Sequence, residues 1–194
     1  MGRRSGFTLL ELTFALALAT IVIVKLFLVI RETSEVQSRG STEMAIEDQA
    51  YRLLDQIAFA VMGASRETLF PDPESPIHSD EIQYEVNLGL EDGVVIWGDP
   101  EWIGLSETET QAVWTVNRGE EDERSVVWCN FVRPFHENEL ENGADDNANG
   151  LADERGLSFV LDDDSVHIRL TLERIGPDGE PVRKTVHTTV TCRN

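Results

Sequence analysis

Phe7 to Ile30 is an apolar run whose only charges are Glu11 and Lys25. About 20 apolar residues let a helix cross the hydrocarbon core of a bilayer, so the run is long enough. A secretory signal has a shorter apolar region followed by a small-residue cleavage site. Here Arg31-Glu32-Thr33-Ser34-Glu35 follows instead. The segment is therefore expected to remain on the chain as an anchor. Arg3 and Arg4 precede it and an acidic chain follows it, which predicts a cytoplasmic N-terminus. Lys25 is expected to reach toward an interface along its flexible stem.

Glu11 is the anomaly of this run. A carboxylate in an apolar helix is costly, and one reading makes it functional, with a partner elsewhere. The other places it at the membrane edge, partly hydrated and favoured by the helix dipole. Charge and position leave both open.

The stretch Arg3-Arg4-Ser5-Gly6-Phe7-Thr8-Leu9-Leu10-Glu11-Leu12 resembles the class III leader and N-methylation motif of type IV prepilins and type II secretion pseudopilins. The match has a short basic leader, Gly6 before the cut, Phe7 after it and Glu as the fifth mature residue. It covers about the first 30 residues, so it points to an assembly class more than to a role. The resemblance implies a leader over residues 1–6 and a membrane or filament-core helix over 7–30. It implies that a prepilin peptidase cuts after Gly6 and methylates the Phe7 amine. It further implies polymerisation through the N-terminal helices, with Glu11 pairing to the Phe7 ammonium of a neighbouring subunit. Such a pair in an apolar bundle is strong only when both charges meet, so it would set register.

The chain has 194 residues, enough for one globular domain and an anchor. Setting aside Arg3, Arg4, Lys25 and Glu11 leaves 13 basic against 35 acidic residues in the rest, a net charge of −22. That is too acidic for a general nucleic-acid binder, so no nucleic-acid partner is expected. It suits solubility and divalent cations. Cys129 and Cys192 both follow the anchor. An oxidising compartment would join them in one disulfide; the alternative is two buried free thiols.

Residues 31–64 lack proline, and Ile46, Ala50, Leu53, Leu54, Ile57 and Val61 recur at steps of three and four. This spacing predicts an amphipathic continuation of the helix, with a weak point at Gly40. Pro71, Pro73 and Pro76 mark a loop. From there the period is two. Ile82, Tyr84, Val86 and Leu88 alternate with polar residues and are expected to form a hairpin with Val94–Trp97. Further runs lie at Ala112–Val116, Val126–Val132, Leu157–Leu161 and Val166–Leu172. Val182, Val186, Thr188, Val190 and Cys192 follow a Gly176-Pro177-Asp178-Gly179 turn. The expected fold is α+β: a long N-terminal helix packed by its C-terminal half on a mainly antiparallel sheet head, residues 65–194.

Within that head, residues 142–154 form an acidic, glycine-containing loop. Oxygen-bearing side chains at alternate positions followed by glycine can aim ligands at one hard cation. Asp145, Asn147 and Asn149 fit the first three positions and Gly150 the turn. The Leu151 carbonyl and Asp153 or Glu154 would complete a structural calcium site. The pattern is similar to shortened EF-hand-like loops, and it departs from the full form because position twelve is Gly156. The alternative is a solvated turn without an ion. His78, His136, His167 and His187 have no metal-ligand spacing, and no nucleophile elbow or phosphate loop appears.

The resemblance therefore implies a non-catalytic minor pilin or pseudopilin, loosely of the J or W kind. It would be anchored in a bacterial inner membrane with its head in the periplasm, and would join a type II secretion pseudopilus or type IV pilus near the tip to prime assembly. Its partners would be other pilin subunits, the prepilin peptidase and the inner-membrane assembly platform. A membrane-anchored calcium-dependent adhesin that never polymerises is the alternative, with an anchored periplasmic hydrolase behind it.

Overall fold

The computed structural model describes residues 8–73 and 76–192. One helix, α1 (Leu9–Met62, 54 residues), leads the chain and passes Gly40 unbroken, so the weak point expected there does not interrupt it. At ~1.5 Å per residue it is about 81 Å long. A short 3-10 turn (Arg66–Thr68) follows. The described residues then form ten strands: β1 (Ile77–Ser79), β2 (Ile82–Tyr84), β3 (Asn87–Glu91), β4 (Val94–Trp97), β5 (Glu101–Leu105), β6 (Gln111–Val116), β7 (Arg124–Asn130), β8 (Leu157–Asp162), β9 (Ser165–Ile175) and β10 (Pro181–Thr191).

The helix has two halves of opposite character. From Leu9 to Ile30 every large apolar side chain is exposed, and by length and composition this part can cross a membrane. Ile46, Ala50, Leu53, Leu54, Ile57, Ala58 and Val61 are buried, at the spacing that the sequence predicts. Burying a Leu, Ile or Val fully contributes about 1.5–3 kcal/mol, so this stripe holds the head on the helix. It packs chiefly on β10 and β9.

The strands form two four-stranded antiparallel sheets, β1-β8-β9-β10 and β2-β5-β6-β7, with β3-β4 as a separate hairpin. In the first sheet, Val182, Val186 and Val190 join Val166, Ile168, Leu170 and Leu172, and Leu157, Phe159 and Leu161, in the buried core. β9 and β10 pair over their full length, from Ile175↔Pro181 to Ser165↔Thr191. The Gly176–Gly179 turn connects them, with Gly179 at φ 83°, where a side chain would strain the backbone. β10 runs parallel to α1. Arg39 pairs with Asp178 at the turn, and Glu47 pairs with Lys184 further along.

The expected hairpin between Ile82–Leu88 and Val94–Trp97 is divided. β2 pairs with β5, and only β3 pairs with β4. Between them the chain turns away: Ala64 bridges Val86, and Gly98 N donates to Val86 O at 2.8 Å. The two sheets are stitched where β7 runs on past Asn130. Val132 bridges Leu172 of β9, Arg133 N donates to Thr171 O, and Glu173 N donates to Phe131 O.

Candidate functional site

Three groups carried functional expectations: the helix start, the acidic loop and the cysteines. Gly6 and Phe7 lie outside the described residues. Glu11 sits one turn into α1 and has a local partner. Its Oε2 accepts from Thr8 N at 3.0 Å and Thr8 Oγ1 at 3.1 Å, while Glu11 N donates to Thr8 Oγ1 at 3.3 Å. This reciprocal capping box satisfies helix N–H groups that otherwise lack acceptors. Its signature, Thr8-Leu9-Leu10-Glu11 ahead of an apolar run, is legible in the sequence, beside the readings of Glu11 as a membrane carboxylate and as a pairing residue. Among the described residues none donates to Glu11 Oε1.

The acidic loop is wound by its own side chains. Asp145 Oδ1 accepts from Asn149 N at 3.1 Å, and Oδ2 accepts from Gly150 N at 2.7 Å. Asn147 Oδ1 also takes Asn149 N, and Asn149 Oδ1 takes Leu151 N. Asn149 in turn donates through its amide to Glu154 Oε2. Asp145, Asn147, Asn149, Leu151 and Glu154 are thereby drawn into one turn. Asp153 is not: its carboxylate faces back to Asn142 N and Gly143 N.

Two buried carboxylates brace this turn, one to the sheet and one within the loop. Glu154 is fully buried and takes Arg169 Nη1 at 2.6 Å. Burial alone would push its carboxyl up; the Asn149 amide and the Arg169 guanidinium outweigh that and hold it below its ordinary value. Glu139, also fully buried, was missed by the sequence reading. Its two oxygens accept from Asn147 N and Asp153 N, each at 3.1 Å, tying together both limbs of the loop. No spacing rule marks it, because its partners are backbone groups 8 and 14 positions away.

The donor chemistry suits a hard cation. Side-chain amides, carboxylates and a carbonyl supply only oxygen, the preference of calcium. An oxygen that accepts one N–H retains a second lone pair. Among the described residues no three His, Cys, Asp or Glu side chains stand together in a metal-holding arrangement. An ion here would lean on Asn147, Asn149 and the Leu151 carbonyl as much as on Asp145 and Glu154.

The expected Cys129–Cys192 bridge is not formed: both thiols are free and buried. Strand register gives the reason. Cys192 N donates to Asp164 O at the start of β9, whereas β7 runs onto the far end of β9 through Phe131 and Glu173. Asp164 and Glu173 are nine positions apart, about 30 Å at ~3.3 Å per residue. A disulfide spans at most about 7 Å between Cα atoms. Burial pushes both thiols up to about 11, with the Asp164 carboxylate adding to the effect at Cys192.

The chain matches no family model, no curated protein and no solved structure.

Proposed function

We propose that this chain is a non-catalytic filament subunit of the pilin or pseudopilin class, anchored in an inner membrane before assembly. The observation that carries this reading is the single helix of two halves. A plain anchor needs only a span joined to a head by any linker. Here a bare apolar rod continues without a break into the stripe that holds the head, so neighbouring rods can bundle while their heads stay in fixed orientation. The resemblance of residues 3–12 to the prepilin motif supports it. In the filament, Glu11 would offer Oε1 to the Phe7 ammonium of a neighbour while Oε2 keeps the cap.

Glu11→Ala and Glu11→Gln test this together with the mass of the N-terminal peptide. The glutamine keeps a capping acceptor and loses the charge. Removing one partner of a buried ion pair costs about 3–5 kcal/mol, or about a hundredfold or more in association. Both variants are therefore expected to insert normally and to leave no detectable filament, while the wild-type chain begins at an N-methylated Phe7. Assembly of Glu11→Gln at the wild-type level would reduce Glu11 to a helix cap. An uncleaved N-terminus in cells that process other prepilins would favour the anchored adhesin.

In this reading the acidic loop is a structural calcium clip using Asp145, Asn147, Asn149, the Leu151 carbonyl and Glu154. Calcium at about 100 times its dissociation constant would add about 2.7 kcal/mol, raising the melting temperature of the full chain in detergent by about 5–10 °C. A chelator should reverse the rise and Asp145→Ala should abolish it. Identical melting with calcium and with chelator would leave a self-sufficient turn.

A further inference from the structure

A groove of about 600 Å³ opens where α1 ends. Phe59, Met62 and Gly63 form its helix side, and Val86 and Glu101 lie opposite. Phe59 is 79% exposed, and Leu88 and Leu90 of the adjacent hairpin are exposed as well. Glu101 is the one charged group among the described lining residues. Its Oε2 is fixed by Tyr84 Oη at 2.8 Å and Trp114 Nε1 at 2.7 Å. No described residue donates to its Oε1 or supplies a cation. The groove is thus an apolar surface with a single oriented carboxylate, and it favours an apolar body carrying one positive charge.

The chain contains such a body. The exposed helix from Leu9 to Ile30 has Lys25 as its one cation. Ile21, Val22, Leu28 and Val29 surround Lys25 at three- and four-residue spacing, all exposed. Among the described residues Lys25 has no ion-pair partner.

We propose that the groove receives the apolar helix of a second copy of this chain, with the Lys25 ammonium on the Glu101 carboxylate. The proposal rests on the filament reading and adds to it a contact with defined geometry. Within one chain the contact is excluded, because Lys25 and Ala60, which also lines the groove, are 35 residues apart on one helix, about 52 Å at ~1.5 Å per residue. Two copies level with each other in one membrane are excluded for the same reason. The contact forms only when the copy contributing Lys25 stands about 52 Å further out along a shared axis. It is a mark of the assembled state.

Carbodiimide coupling of the full chain, in assembled filaments and in membranes before assembly, tests this by linked-peptide mass analysis. The expected product is an intermolecular Lys25–Glu101 amide, present in filaments and absent from membranes. Lys25→Arg, which keeps the charge and cannot be coupled, should assemble without the product. Lys25→Glu should lower filament yield at least tenfold. Glu101→Gln, which still accepts from Tyr84 and Trp114, should lower it comparably without loss of folded protein. Coupling of Lys25 only to other carboxylates, coupling of Glu101 to a different protein, or wild-type assembly of Lys25→Glu would overturn the contact. Filaments that depend on Glu11 yet lack the product overturn the contact alone. A processed chain that never assembles overturns the filament reading and the contact with it.

Discussion

Replacing Gly156 by alanine is expected to destabilise the head by about 3 kcal/mol and to lower its melting temperature by about 6–12 °C. A Cβ at this position would lie 1.8 Å from the Arg133 carbonyl oxygen and 2.8 Å from its carbon. The obstacle is backbone, and it is fixed from both sides. Gly156 N donates to Pro134 O at 3.2 Å, and Gly156 O accepts from Thr171 N at 2.7 Å. To admit a methyl group, the segment between the two sheets would have to give up at least one of these bonds. Thermal unfolding of the purified variant measures the effect. Melting within about 2 °C of wild type would mean that the chain yields here at little cost. The same contact explains why position twelve of the calcium-type loop cannot carry the glutamate of a full EF-hand. The chain passes too close to Arg133 for any side chain.

Arg169→Met is expected to cost about 3–5 kcal/mol, because it strands the Glu154 carboxylate, fully buried, without its cation. Methionine keeps most of the stem's packing, so the loss reports the charge. The pH dependence has a definite sign. The folded carboxyl of Glu154 lies below its ordinary value, pulled down against burial by Asn149 and Arg169. Its contribution is therefore fully present above the unfolded value of about 4.3 and is lost as pH falls through the lower folded value. Denaturant unfolding in chelator should show the full gap between wild type and variant near pH 7 and a narrowing gap in acid. A gap that is equal at both pH values would assign the loss to packing.

What the sequence disclosed followed from periodicity. The stripe from Ile46 to Val61 and the alternation in β9 and β10 repeat often enough to reveal their faces, and the Gly-Pro-Asp-Gly turn fixes the hairpin between the two strands. Shorter elements stayed hidden. β5, Glu101 to Leu105, has too little alternation to be seen beside Pro100 and Gly104. Without it, β2 has no visible partner and the division into two sheets cannot be foreseen. In the candidate site, Asp145, Asn147 and Asn149 stood out through their spacing. Glu139, Arg169 and Arg133 did not, since they meet the loop through the tertiary fold. The two cysteines show the limit of arithmetic on composition: an even number says nothing of where each strand carries its thiol.

Among the described residues the first ion pair between helix and head is Arg39 with Asp178, nine residues beyond Ile30 and so about 14 Å further along the axis. The headgroup layer on each side of a bilayer is about 5–8 Å thick. With Ile30 at the edge of the hydrocarbon, the acidic head would hang clear of the lipid surface on a collar of charged helix from Arg31 to Ser38. The remaining gap of about 6–9 Å is close to the ~8 Å over which salt screens charge, so repulsion of the head by anionic lipids would be weakened. In the filament reading the bare helix would thus also serve as a standoff, keeping the head free to meet protein neighbours while its root is still in the membrane.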